Sequence, residues 1–385
     1  MFRLAVKNIL NTAWGLLTVL GFAVAVALAV LSWSLVRQVA DGTAGNIAYY
    51  RSGHLRVVDR QYNDRLFPLA KSFAKYQEIE RLAAQYQEVT LQTERIKIKL
   101  LLQNQGRSLP AQGIAIDATR ERPVWRTLAG RQVGVSAKEL VIGKGLAQKL
   151  EVGLGDKLTI VAQNALGAVT LFDLEVVGIF SSGAASIDDG TFFFPLAAAQ
   201  KVFALNDKVS EVVIYLRDPA FAGEAAEYLG DELERVAPGR FTVIPREKDA
   251  AMIWLEKGRL IGLAFSGLLL FLGCTLLYHF FSSSVAERDR EIKTLKRLGV
   301  KKGELARLFF YEAALIGLLA GLIGGALALI VNQVGWTVPL GWAGLDFVPL
   351  EIEPGIKWSD LFLGLGGSLG FSCLGMLVPA WRGLR

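Results

Sequence analysis

The sequence predicts a membrane α-helical protein of four transmembrane helices with a large α+β extracytoplasmic domain between helices 1 and 2. Three observations predict it: four apolar runs without charge, the distribution of Lys and Arg around them, and a long stretch of soluble-domain character between the first two runs. The runs, 8–36, 260–286, 313–345 and 361–381, contain no Asp, Glu, Lys or Arg. Each supplies the roughly 20 apolar residues that a helix needs to cross a bilayer. Together they explain 52% hydrophobic residues, 40 glycines and a mean hydropathy of +0.37, a composition foreign to an ordinary soluble enzyme.

The first span is expected at 14–36, after a short segment 1–13. Arg3 and Lys7 precede it and AVAVALA offers the small residues of a signal-peptide cleavage site. Signal-peptide cores run to roughly 7–15 residues, whereas this run continues through Leu31, Trp33 and Leu35, so it reads as an uncleaved span. The others are expected at 260–284, 313–334 and 361–380, with a tail 381–385. The positive-inside rule orients them. Arg3 and Lys7, the basic segment 285–312, and Arg382 with Arg385 fall on one side, the cytoplasm. The connection 335–360, with Asp346, Glu351, Glu353 and Asp360 against Lys357, falls outside, and 37–259 must share that side. The chain is expected in the cytoplasmic (inner) membrane with both termini cytoplasmic. The net charge of +6 is then mostly a topology signal, and nucleic acid is not expected as a partner.

Within 37–259 the order β-α-β occurs twice. HLRVVD from His54, a helical YQEIERLAAQYQ from Tyr76 and VTLQTERIKIKLLLQ from Val89 make the first; SEVVIYLRD from Ser210, FAGEAAEYLGDELERV from Phe221 and FTVIP from Phe241 make the second. They form a membrane-proximal α+β part, 37–100 and 206–250, around an inserted β-rich part, 101–205. Cys274 and Cys373 both lie in spans, and the large domain, big enough to bury its own core, needs no disulfide. With only His54 and His279, a zinc site of the HExxH type is impossible. No catalytic, metal or cofactor-binding residue is expected. No G-x-x-x-x-G-K-[ST] phosphate cradle occurs; GLGDKLT is a turn before a strand.

One segment between spans two and three is dense in charge: 286–313 holds eight Lys/Arg and five Asp/Glu. Ile292, Leu295 and Leu298 recur at helical spacing, and Asp289 to Lys293 is a favourable i,i+4 pair. Gly299 supplies a stop, and a new helix enters span three after Lys301. An interfacial helix whose basic residues meet lipid phosphate and a helix that docks on a protein both fit these residues. Mixed charge favours the second, because a lipid-only helix has less use for Glu287, Asp289, Glu291 and Glu304.

ELVIGKGLAQKLEVGLGDKLTI from Glu139, LEVVGIF from Leu174, TFFFPLAAAQKVF from Thr191, REIKTLKRLGVKKGELARLFFYEAALIGLLAGLIGG from Arg290 and the ending VPAWRGLR resemble, in order, blocks of the FtsX-like ABC transporter permease superfamily. That superfamily includes lipoprotein-releasing, macrolide-efflux and cell-division permeases. SGHLRVVDRQY from Ser52 looks closest to the lipoprotein-releasing branch. The resemblance implies a permease subunit that binds no cofactor itself. A separate ABC ATPase subunit would bind ATP and Mg, and a second permease copy or close relative would complete the assembly. It implies that Glu287, Arg288, Glu291, Ile292, Leu295, Leu298 and Gly299 form the helix that couples to the ATPase. It further implies mechanotransmission, in which ATP-driven motion does work outside the membrane on a lipoprotein or lipid-linked cargo, with an extracytoplasmic lipoprotein or adaptor as a further partner. Leu31, Leu35, Ile261 and Phe265, on the outer halves of spans one and two, are the candidate cargo contacts. Efflux and regulation of a wall hydrolase share the same mechanics, and a signalling receptor without transport is the alternative of another class. Gly317, Gly321 and Gly325, four apart on span three, are candidates for close helix packing.

Overall fold

The computed structural model describes residues 13–63, 66, 68–121, 126–135, 138–248, 250–298, 300–334, 338–339, 351–352 and 355–384. Helix α1, Ala13–Ile47, carries the first apolar run and ends in a π-helical turn, Ala48–Ser52. Then follow β1 (Leu55–Asp59), α2 (Tyr76–Ala83), β2 (Val89–Asn104), β3 (Arg107–Ile116), β4 (Arg126–Gly130), β5 (Glu139–Gly143), α3 (Lys144–Leu150), β6 (Lys157–Gln163), β7 (Val169–Ser181), β8 (Thr191–Pro195), α4 (Leu196–Val202), β9 (Glu211–Leu216), α5 (Ala222–Val236) and β10 (Phe241–Pro245). The other apolar runs lie on α6 (Ala250–Glu287), α8 (Lys302–Gln333) and α9 (Trp358–Leu384), with the short α7 (Asp289–Arg297) between α6 and α8. The four helices α1, α6, α8 and α9 are long and apolar enough to cross a membrane.

Helices α1 and α6 outrun their apolar cores. Backbone hydrogen bonding propagates until something stops it, and after α1 the stop is Gly53, whose φ of +64° an L side chain rarely adopts. The chain divides into two units, Met1–Ala40 with Glu256–Val338 and Ile352–Arg385, and Asp41–Leu255 with Pro339–Glu351.

In the second unit the strands form one ten-stranded sheet, β10-β1-β9-β2-β3-β8-β5-β7-β4, with β6 paired to β2 and β7. The two β-α-β repeats interleave. Strand β9 lies between β1 and β2, and β1 lies between β9 and β10, every neighbouring pair being antiparallel. This is the split β-α-β arrangement. Residues 100 and 101, the expected border between the two parts of the domain, fall inside β2. That strand pairs β9 through its first half and β3 and β6 through its second, so the parts share a strand. Gln105 and Gly106, with φ of +45° and +86°, make the two-residue turn into β3, as tight hairpins require.

The sheet is covered on both faces. Ile96, Ile98, Leu100 and Leu102 of β2 join Val212 and Ile214 of β9 and the apolar stripes of α2 and α5 in one core. On the other face Tyr49 and Tyr50 of the π-helical turn pack with Ile114, Ile116, Phe180 and Phe193. Phe192, Phe193 and Phe194 are therefore all buried, as in a strand enclosed on both sides.

That second face also buries charge. Arg56, Arg95, Lys97, Glu121 and Glu211 are each almost fully enclosed. Arg95 Nε donates to Glu121 at 3.1 Å and its Nη2 donates to the Tyr215 hydroxyl at 2.8 Å, while the guanidinium lies over the Tyr49 ring. Lys97 Nζ stands 2.7 Å from Glu211 and also donates to the Arg51 carbonyl. Arg56 donates to the same carboxylate at 3.2 Å. Buried ions are tolerated only when paired in this way.

In the first unit, α8 and α9 pack through their small residues. A Cβ on Gly317 would lie 3.0 Å from Ser368 and Leu369 backbone atoms, and one on Gly321 would lie 2.5 Å from Ser368 Oγ. Ser368 Oγ donates to the Gly317 carbonyl at 2.8 Å and Ser372 Oγ to the Ala313 carbonyl at 2.6 Å, bonds suited to a medium without water. At Gly325 the approach relaxes to ordinary contact, 3.5 Å to Leu361. Its neighbour Gly324 makes the tight contact there, with the Ala23 carbonyl of α1 at 2.6 Å from a built Cβ.

The buried lysine makes stability depend on pH. Loss of hydration pushes Lys97 down to about 8 from its ordinary 10.5, against the pull of Glu211. Between those values the unfolded chain holds a proton that the folded chain has released, so this group makes the unfolding free energy rise with pH. Lys97→Met should abolish the rise. Thermal unfolding of both proteins across that window should show the wild-type midpoint gaining on the variant, and a constant or shrinking difference would refute the assignment.

Candidate functional site

Among the described residues, an ion pair and the apolar Ile292 anchor the charged segment. Helix α6 ends at Glu287, where Ser283 Oγ donates to the carboxylate at 3.3 Å. At Arg288 the chain turns. Its Nη1 donates to Glu312 Oε1, on α8, at 2.9 Å, with Glu312 buried. Helix α7 then presents Ile292 inward, 3% exposed, within the core formed by Phe281, Leu305, Leu308 and Phe309. Its outer face carries the i,i+4 pair of Asp289 and Lys293. The Leu298 amide bonds back to Thr294 at 3.0 Å, and its side chain is 76% exposed. Helix α8 restarts at once: the Lys301 amide donates to Glu304 Oε2 at 3.1 Å, which satisfies a free donor at a helix start.

The predicted coupling residues therefore divide. Arg288 and Ile292 hold the segment onto the apolar helices, Glu287 lies exposed at its start, and Leu298 is left open on it. The side chains of Glu291 and Leu295, and Gly299 altogether, lie outside the described residues. The Arg288 to Glu312 pairing escaped the sequence reading because Glu312 stands at the edge of an apolar run. An acid directly before the expected start of a span, with a basic residue just after the preceding span, was the available signal.

The four candidate cargo contacts also divide. Leu31 and Leu35 of α1 are half-buried, Leu31 against the core of the first unit. Ile261 and Phe265 of α6 are 70% and 53% exposed.

A second long-range ion pair closes the other end of the helices. Arg37 donates from Nε to Asp360 Oδ1 at 3.1 Å and from Nη2 to Oδ2 at 2.7 Å, and Nη2 also reaches the Gly355 carbonyl at 2.6 Å. Both residues are buried. The Lys357 amide donates to the same carboxylate at 2.8 Å. A bidentate arginine and carboxylate of this kind is a strong, directional contact. In the large domain, His54 accepts the Leu216 amide at 2.9 Å, and burial holds its imidazole below the usual range.

Residues 16–232 match the family model described as MacB-like periplasmic core domain, and residues 263–385 match the one described as FtsX-like permease C-terminal. An uncharacterized ABC transporter permease, YknZ of Bacillus subtilis, is 28% identical over 231 residues, 56% of this chain and 54% of its own length. The lipoprotein-releasing system transmembrane protein LolC of Haemophilus influenzae is 24% identical over 258 residues, 64% of this chain and 62% of its own. The matches thus span less than two thirds of these relatives. The crystal structure of the periplasmic region of MacB from Actinobacillus actinomycetemcomitans aligns with a TM-score of 0.37 at 13% identity, covering 52% of this chain and 92% of that one.

Removing one partner of the anchoring ion pair should release the charged segment. Glu312→Ala forfeits a charged hydrogen bond worth about 1.5–3 kcal/mol and leaves Arg288 against apolar helices. Limited trypsin digestion of the detergent-solubilised protein should cleave faster at Lys293 and Arg297. The exchange Arg288→Glu with Glu312→Arg should restore protection. Unchanged cleavage in Glu312→Ala would show that the pair anchors nothing.

Proposed function

Since the chain belongs to the family of permeases that join a MacB-like periplasmic core domain to an FtsX-like permease C-terminal region, we propose that it is the permease subunit of an ABC transporter working by mechanotransmission. A separate ATPase subunit binds ATP and Mg, and two permeases, identical or closely related, complete the assembly. ATP binding draws the ATPases together, and the segment 287–299 of each permease moves with them. Helices α1 and α6, which lead into the large domain, pass that motion outward, so that work is done outside the cytoplasmic membrane. Both termini and the charged segment are cytoplasmic on the distribution of Lys and Arg.

The observation that carries this reading is the state of the charged segment. It is clamped to the apolar helices through Arg288 and Ile292, yet it offers an exposed Leu298 among charges of both signs. An exposed apolar residue directly after a short mixed-charge helix fits a protein cleft better than a lipid surface, which rewards a basic helix with a continuous apolar face.

For the cargo we propose a lipoprotein or another lipid-linked molecule. Similarity to proteins named for lipoprotein release supports it, as do the exposed apolar Ile261 and Phe265. A lipid-linked cargo would meet the permease first at such a surface.

Leu298→Asp and Glu291→Lys should each reduce copurification of the ATPase while membrane insertion stays normal. Loss of an apolar anchor at an interface costs about 2 kcal/mol or more, whereas reversal of one solvated charge on a lipid-facing helix costs far less. Full ATPase binding and full transport in both variants would reduce the segment to an interfacial loop. For the cargo, photo-crosslinkers at Ile261 and Phe265 should capture an acylated protein in a nucleotide-dependent manner. Capture indifferent to nucleotide would mean contact with bulk lipid alone.

A further inference from the structure

Helices α1, α6 and α9 line a half-open cavity of about 280 Å³. At one point on its wall a glycine stands where a side chain would fill it. A Cβ on Gly267 of α6 would meet nothing within 4 Å. Gly364 of α9 has the opposite role: a Cβ there would lie 2.4 Å from Val30, so α9 and α1 touch and bound the space. Val30, Leu263, Leu270 and Phe371 make the wall apolar.

Two polar groups break that wall, and neither has a partner. Trp33 Nε1 and Ser266 Oγ are both buried without a hydrogen bond, and Ser266 is 6% exposed. A helical serine commonly bonds back to a carbonyl of the preceding turn, which Ser266 does not do. In a bilayer an unsatisfied donor costs more than at a wet surface, since no water replaces the missing partner. The third polar residue of the wall, Asp360, is already engaged by Arg37 and the Lys357 amide. The cavity therefore offers hydrogen-bond donors and no free charge, and it calls for a guest that is apolar over most of its length and carries a neutral acceptor.

We infer that this cavity holds one acyl chain of a bilayer glycerophospholipid, with its ester carbonyl accepting from the Trp33 indole and the Ser266 hydroxyl. The volume lies just below the roughly 300–1,000 Å³ of pockets that enclose whole small ligands, so it takes part of one chain rather than a complete lipid. The bilayer supplies this occupant at high concentration beside helices long enough to span it. The inference stands apart from the cargo reading: this lipid sits among three helices of one chain, whether or not the transported molecule is lipid-linked.

The test uses the full-length chain in nanodiscs of phosphatidylethanolamine and phosphatidylglycerol, doped with phosphatidylglycerol bearing a diazirine in one acyl chain. Irradiation followed by peptide mapping should place adducts on cavity-lining residues of α1, α6 and α9. Gly267→Leu, which fills the space without meeting a neighbour's backbone, should lose them. Trp33→Phe and Ser266→Ala keep an apolar wall and should each cut retention of the labelled lipid through detergent exchange by roughly two- to tenfold, the worth of one hydrogen bond. In lipid-free detergent Ser266→Ala should unfold at the wild-type temperature or above it, because it deletes an unsatisfied group, and added phosphatidylglycerol should raise its midpoint less than that of the wild type. Adducts spread evenly over the exposed faces, retention unchanged in both Trp33→Phe and Ser266→Ala, or a cavity that captures an acylated protein in place of the phospholipid would overturn the inference.

Discussion

A charge set against apolar helices must have a partner, and both ends of the helical unit are organised by that requirement. At one end Glu312 immediately precedes the third apolar run and is buried; Arg288 reaches it from the turn between α6 and α7. With that bond made, α7 lies so that Ile292 enters the core and Leu298 does not. At the other end Arg37 and Asp360 join α1 to the start of α9 in a bidentate contact. Removing either partner would strand a buried ion, which costs more than the pair itself contributes. The two pairs therefore tie neighbouring helices together at defined positions, α8 to the turn after α6 and α1 to the start of α9.

Between those ends the packing depends on closeness rather than on water exclusion. Lipid is as apolar as leucine, so helices in it gain little by hiding apolar surface and gain instead by fitting together. Gly317, Gly321 and Gly324 allow that fit, and Ser368 and Ser372 donate to carbonyls of the neighbouring helix. The same logic gives weight to the cavity beside Trp33 and Ser266. Trp33 Nε1 and Ser266 Oγ are two donors on its wall that no protein acceptor meets.

The large domain solves a different problem with related means. Its sheet is enclosed on both faces, by α2 and α5 with their neighbours on one side and by the tyrosines that follow α1 on the other. Enclosing the second face strips water from Arg56, Arg95 and Lys97, and Glu121, Glu211 and Tyr215 replace it. The ionic cluster thus joins β1, β2 and β9 to the chain that enters the domain, through the bond from Lys97 to the Arg51 carbonyl.

The sequence by itself determined the apolar runs, the charged segment between the second and third, and the twofold β-α-β order, since these are local matters of composition and period. FTVIP, SEVVIYLRD and the long run from Val89 were legible as strands because β-branched and apolar residues recur along them. The segment ERIKIK reads as a strand with one wet face, yet Arg95 and Lys97 are buried, because what covers them, Tyr49 and Tyr50, lies far away in the chain. Interleaving of the two repeats, the sharing of β2, the relaxation at Gly325 and the pairing of Arg288 with Glu312 likewise belong to the tertiary structure. Each depends on which distant segment comes to lie alongside, and local pattern carries no record of the partner. The candidate site was visible as a charged helix with an apolar stripe; only packing decided that Ile292 turns inward while Leu298 stays exposed.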